Sequence, residues 1–395
     1  MVSKEEEFRR SIDQLSRKMG YGTYKGQAYD MFRGYNFRAN GVLSPASTDQ
    51  TGLTFVTRPE LNLTDKNLSQ DRYLSNLITG NPYTIQSAIR AILDPHSVQN
   101  GYGTPLVNNN HAFVTLFTNT ISSISGWVDN TMMDFVEPEG IFGEAIAMAD
   151  GYYKYRGAFD LTCSFVNTEG APILKLIDVT LHYMENVLGI RMVPYADNNI
   201  ENRMDYTQRM YRLILDPSRR FCQHIMANGY MYPKTNPWGS IANFDSGDNF
   251  DRSNDKVNIQ YRSVGAQYND PILPWEFDQT VAMFNSDLEI ITDAQGLEAL
   301  VEGKLKLARG ERYVQIPNAY LDYFNYDPYP LVHPVTWELL WFIPMEVYQA
   351  RMDELNQPVT ISPSVMNNPS DSSPMANPIY GYKSGALDDE VKRNG

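Results

Sequence analysis

Between residues 159 and 264 the hydrophobic period of this chain switches from two to 3.6 and back to two, and few folds accommodate that order. Residues 159–166 (FDLTCSFV) alternate apolar and polar side chains, the pattern of a strand buried on one face. In residues 173–189, Leu174, Ile177, Leu181 and Leu188 fall at helical spacing and Gly189 supplies a stop. Strand-like stretches return at 205–215 and 221–228. Asp216-Pro217-Ser218-Arg219 between them places Pro at the second position of a type I turn, which predicts a hairpin. Residues 257–264 (VNIQYRSV) read as a further strand. The expected fold is α+β, with a β-sandwich or barrel-like core over 151–290.

The flanks differ in character. Residues 1–50 begin with a helix over 3–19, where Ser3 and Glu6 form a capping box, and continue as a Gly- and Tyr-rich irregular arm. Residues 51–150 form a mixed helical region. It has a short strand at 54–57, a helix from Thr64 or Asp65 to about Ile78, a helix over 84–93 closed by Asp94-Pro95, and a helix around 141–149. The stretch GYMYPKTNPWG reads as an irregular edge, and 244–256 as a polar loop. Residues 291–356 read as a mixed α/β region, with a helix over 293–305 and strands in RYVQIP and VTWELLWF. Residues 357–395 are rich in Pro, Ser and Asn without a core-forming pattern, as expected of an extended arm held against other chains.

Composition narrows the function classes. With 42% hydrophobic and 20% charged residues the chain is a folding sequence. It has no apolar run of bilayer length and no apolar stretch behind its first residues MVSKEEEFRR, so synthesis and folding in a cytoplasm are expected. A net charge of −14 opposes wrapping by nucleic acid and binding to an anionic membrane, with Arg219-Arg220 a local basic exception. The 26 Tyr, 17 Phe and 17 Met suit either partner-contacting surfaces or an aromatic β core.

Motifs that carry chemistry are missing. Cys163 and Cys222 have no CxxC neighbours and read as buried small hydrophobes in a reduced protein. Gly296 to Lys304 has the wrong spacing for a phosphate-binding loop, and Leu305 stands where Ser or Thr is required. His96, His111, His182, His224 and His333 occur singly. Asp245, Asp248, Asp251 and Asp255 could surround calcium but do not follow an EF-hand pattern, so a solvated loop is the default. Asp134, Glu137 and Glu139 could offer a glycosidase carboxylate pair, a geometry that sequence spacing cannot test.

Two stretches carry a resemblance. GLTFVTRPELNLTD (52–65) resembles the FTRPDLNL stretch of structural proteins from large myovirus-like tailed bacteriophages, with Glu60 in place of Asp. Residues 159–238 contain NTEGAPILKLIDVTLHY, NRMDYTQRMYRLILD and GYMYPKTNPWGS. Their order of strand, helix, strands and an aromatic loop with Pro233 and Pro237 is similar to the tail-tube-like fold of contractile tails. The resemblance implies a non-enzymatic virion protein without cofactor or metal, assembled in the host cytoplasm. It implies a homo-oligomeric ring in the tail or neck, at a tube-associated, baseplate or collar position. Partners would be other tail, baseplate or neck proteins, with genomic DNA only as passing cargo and no membrane. An acidic bore would let DNA slide by charge repulsion.

On this reading the assembly-interface candidates are Arg58, Pro59, Leu61, Tyr230, Tyr232, Pro233, Trp238, Tyr380 and Tyr382. Two rival readings are a receptor- or glycan-binding adhesion module, from the aromatic and Asn-rich loops, and a virion-associated cell-wall hydrolase.

Overall fold

The computed structural model describes residues 51–151, 157–201, 203–242, 256–324 and 326–356. The expected helix over 3–19, the aspartates between 245 and 255, and the arm 357–395 with Tyr380 and Tyr382 lie outside the described residues. In chain order the elements are β1 (Thr51–Val56), α1 (Ile85–Leu93), β2 (Ile121–Ser125), β3 (Asp134–Val136), β4 (Ala147–Ala149), β5 (Ala158–Val166) and α2 (Pro172–Leu188). There follow β6 (Met210–Leu215), β7 (Cys222–Pro233), β8 (Lys256–Tyr268), α3 (Leu273–Phe284), α4 (Ala294–Val301), β9 (Tyr313–Ile316), β10 (Tyr329–Val332), β11 (Leu339–Pro344) and α5 (Met345–Asn356).

Six strands form one sheet in the order β1-β6-β7-β8-β5-β2. Three strands separate β2 from β6, yet Ile121 and Ile124 line the same cavity as Arg212 and Ile214. The sheet therefore curls into a nearly closed barrel, with β1 and β2 as its open edges. The expected alternation is met in β5: Phe159, Leu161, Cys163 and Phe165 are buried, and across the ladder Leu161 faces Tyr261 and Cys163 faces Ile259. α2 lays Ile173, Leu174, Ile177 and Tyr183 into the same core. Each large apolar side chain fully buried there contributes about 1.5–3 kcal/mol.

A second core forms where β6 and β7 meet α3. Phe277 sits at its centre, with ring centroids 5.3 Å from Phe55, 5.0 Å from Phe113 and 5.2 Å from Tyr211. The small sheet β10-β11-β9 adds Tyr329, Leu331, Leu340 and Phe342. Cys163 belongs to the first core and Cys222 to the second; both thiols are free, and burial pushes each up to about 12. Gly229 and Gly265 approach one another on β7 and β8. Gly265 has φ +69°, and a Cβ on Gly229 would lie 2.8 Å from the Val264 carbonyl oxygen, so both positions require glycine.

Several expectations change. GYMYP is no edge: it is the second half of β7 and pairs with β8 from Tyr230 opposite Val264 to Pro233 opposite Tyr261. The helix expected up to Ile78 breaks after Leu68, because the Asp71 carboxylate accepts the N–H groups of Tyr73 (2.7 Å) and Leu74 (3.1 Å) and starts a new 3-10 turn. The helix expected around 141–149 is absent. Its last residues form β4, paired with β3, and Gly140 and Gly143 lie in the connection.

Arg58, Pro59 and Leu61 were expected at an assembly surface, but they are buried inside the protomer. The physical reason is backbone satisfaction. The Arg58 guanidinium donates to the carbonyls of Ala91 (2.5 Å), Ile92 (2.9 Å), Asn109 (3.0 Å), His111 (3.2 Å) and Asn108 (3.4 Å). Burial lowers its pKa to about 10, with Asp94 opposing the shift. Asp94, itself fully buried, accepts from the Leu63 N–H (3.1 Å), the His96 N–H (2.9 Å) and the hydroxyls of Tyr195 (2.7 Å) and Tyr102. Burial and Asp94 push the Tyr102 phenol up to about 12. Leu61 donates its N–H to the Leu93 carbonyl at 3.0 Å.

Replacing Arg58 by Met should destabilise the chain by about 3–5 kcal/mol, because five buried or half-buried carbonyls lose their donor and Asp94 loses its countercharge. Urea unfolding of the R58M variant checks this, and a loss under 1 kcal/mol would contradict it. Asp278 on α3 is 2% exposed; Oδ1 accepts the Val332 N–H at 2.8 Å and Oδ2 has no partner. Burial raises its pKa well above the usual carboxylate value. The folded state therefore holds this proton more tightly than the unfolded chain does. Its stabilising contribution is full below about pH 4 and is lost as pH rises toward the folded value. The melting temperature of D278N relative to the parent should rise from pH 5 to pH 8; a pH-independent difference would refute the assignment.

Candidate assembly surfaces

The sheet has one polar face. Opposite the core side of β5 and β8 stand Asp160, Thr162, Ser164, Asn258, Gln260 and Arg262, all exposed or half-buried. The ladder sets Asp160 against Arg262, Thr162 against Gln260 and Ser164 against Asn258. Arg262 donates to Asp160 at 2.9 Å and Lys234 approaches the other carboxylate oxygen at 3.4 Å. The hydrogen bond from Arg262 is the largest influence holding the Asp160 carboxyl below its usual range. Two of the sequence-derived candidates belong here: Tyr232 lies opposite Arg262, and Tyr230 is half-buried two residues earlier. Pro233, expected at an assembly surface, is instead buried on the core side, opposite Tyr261. Trp238 is 40% exposed on a short helical turn, Trp238–Ala242.

The second surface is an arm that periodicity did not flag. Residues 129–151 are exposed throughout, including all six residues of β3 and β4. Phe135, Val136, Ile146 and Met148 are 50–61% exposed, and at the tip Ile141 and Phe142 reach 97% and 93%. Monomeric proteins seldom leave so much contiguous apolar surface in water. From Asp129 to Asp150 the arm also carries six acids and no Lys or Arg. Its root is fixed. Gly126 (φ +102°) passes so close to β5 that a Cβ would lie 2.2 Å from the Asp160 carbonyl oxygen. The Trp127 ring meets Tyr268 at 6.0 Å, and the Tyr268 hydroxyl donates to the Val128 carbonyl. Asp134, Glu137 and Glu139, considered as a hydrolase pair, stand on this exposed arm.

The third feature lies between the edge strand β2 and residues of β6 and β7. A cavity of about 260 Å³ is lined by Ile121, Ser122, Ser123, Ile124, Trp127, Arg212, Ile214 and Met226. Arg212 donates to the Thr54 hydroxyl at 2.8 Å and forms no ion pair among the described residues. Burial lowers its pKa. No group of three or more His, Cys, Asp or Glu among the described residues could hold a metal ion. No described helix is long and apolar enough to cross a membrane.

A search of curated proteins finds no match. Two solved structures align with the chain at low similarity. One is described as the anti-feeding prophage cap, a tube terminating cap, with 12% identity, TM-score 0.24, and coverage of 40% of this chain and 82% of that one. The other is described as the sheath/tube terminator of an extracellular contractile injection system in its extended state, with 9% identity, TM-score 0.22, and coverage of 38% and 85%. The family described as "Putative phage tail tube protein" matches residues 1–358. That match spans nearly the whole chain, so the protein belongs to this phage tail tube family and is a structural component of the virion tail.

Proposed function

We propose that the chain is a ring-forming, tube-associated subunit of the phage tail that joins copies of itself and contacts other tail, baseplate or neck proteins. The observation that carries this reading is the 129–151 arm, whose apolar side chains are exposed on both faces. A two-stranded hairpin of three residue pairs is marginal by itself in water and gains stability when another surface covers it. The open edges β1 and β2 offer backbone groups to neighbours in the same way. Genomic DNA is passing cargo on this reading. The polar face of β5 and β8 is suited to a bore: its hydroxyl and amide side chains are uncharged, and Asp160 is balanced by Arg262 and Lys234. This supports a near-neutral lining in place of the acidic one expected from net charge.

Light scattering and electron microscopy of the purified chain test the proposal. The expected result is a particle whose mass grows with concentration and closes as a ring with a central opening, weakened when residues 357–395 are removed. A chain that stays monomeric at high concentration and also fails to join the virion's other tail proteins would overturn it.

A further inference from the structure

We infer that the arm tip, Ile141 and Phe142, docks into the Arg212 cavity of a second copy of this chain, so that each subunit gives one arm and receives one. This rests on the ring reading above and names the contact that would build the ring.

Three observations point to that occupant. The first is size. A cavity of about 150 Å³ accommodates a benzene ring. About 260 Å³ is then room for the Phe142 ring and much of Ile141 beside it. The cavity walls Ile121, Ile124, Trp127, Ile214 and Met226 are apolar, as the tip is. The second is charge. Arg212 is the one cation of the cavity and has no carboxylate partner among the described residues. The tip is flanked by Glu139 and Glu144 on an arm without any cation. Glu144 folds back to accept the Phe142 N–H at 2.9 Å, which leaves Glu139 to reach Arg212. The third is area. Eight apolar side chains of the arm are 46–97% exposed. At roughly 100–200 Å² for each side chain this is on the order of 900 Å², close to one partner's share of a standard protein interface.

The geometry also excludes self-insertion in this conformation. The arm leaves the barrel at Gly126, beside the cavity wall at Trp127, and its own tip is almost fully exposed. A tip and a socket at different places on one subunit make a heterologous contact, which closes into a ring when the rotation between copies permits.

The test uses the full chain carrying Phe142→Cys together with Ile214→Cys. Cys163 and Cys222 are buried, with thiols pushed up to about 12, so they contribute little background. Mild oxidation should give a ladder of disulfide-linked oligomers from the double variant, and at most linked pairs from F142C alone. Phe142→Asp, at a tip with nothing to unpack, should keep the parent melting temperature and weaken self-association at least tenfold in sedimentation. If the parent chain forms rings while the double variant gives no ladder and F142D associates normally, the docking inference is overturned and the ring reading stands. If the parent chain never self-associates, the docking inference falls, and the ring reading falls with it when the chain also fails to join the virion's other tail proteins.

Discussion

The fold depends on a buried guanidinium. Arg58 leaves the end of β1 and enters a ring of backbone carbonyls from the end of α1 and from residues 108–111. The chain between residues 58 and 111 wraps around it, with Asp94 as the opposing charge in the same layer. Removing these charges from water is costly, and only near-complete hydrogen bonding offsets that cost. The consequence reaches the sheet. Beyond the wrapped segment the Val114 N–H returns to the Val56 carbonyl at 2.9 Å, and Phe113 bridges Thr57. From there the chain runs through a short helix into β2. β1 and β2 are the two edges of the barrel, so the segment wrapped around Arg58 connects them.

That opening and the arm come from the same stretch of chain. β2 supplies one wall of the cavity and leads at once into the arm through Gly126 and Trp127. Elsewhere the larger apolar cores pack against helices α2 and α3, a smaller one gathers Ile316, Phe324 and Ile343, and Asp160 pairs with Arg262 across β5 and β8. The arm tip holds the most exposed apolar side chains among the described residues, Ile141 and Phe142.

Legibility in the sequence followed how local each signal was. β5, α2, α1 and the β6–β7 turn were readable, because periodicity and a turn sequence act within a few residues. α3 was not. Leu273, Trp275, Phe277, Val281 and Phe284 are apolar on more than one side of it, since it packs between β7 and β10, and no single stripe marks it. The segment 141–149 holds enough Ile, Met and Ala to suggest a helix, yet it touches no core that could stabilise one. The motif from Thr57 to Leu63 carried the family likeness correctly and the site wrongly. Arg and Asn in a loop look like surface chemistry until the carbonyls they satisfy are seen.

The sequence by itself determined the alternation of strands with an amphipathic helix, the acidic balance of the chain, the absence of recognisable catalytic motifs and the family resemblance. Each of these is written in neighbouring residues or in totals. Only the tertiary structure decided that Arg58 is interior, that Arg212 faces a cavity with no carboxylate among the described residues, and that Ile141 and Phe142 stand in water. The physical reason is that a charge or an apolar side chain has no fixed role until distant segments either close over it or leave it uncovered. Segments 33 to 53 residues away supply the Arg58 acceptors, strands far apart in the chain line the socket, and no local pattern encodes that closure.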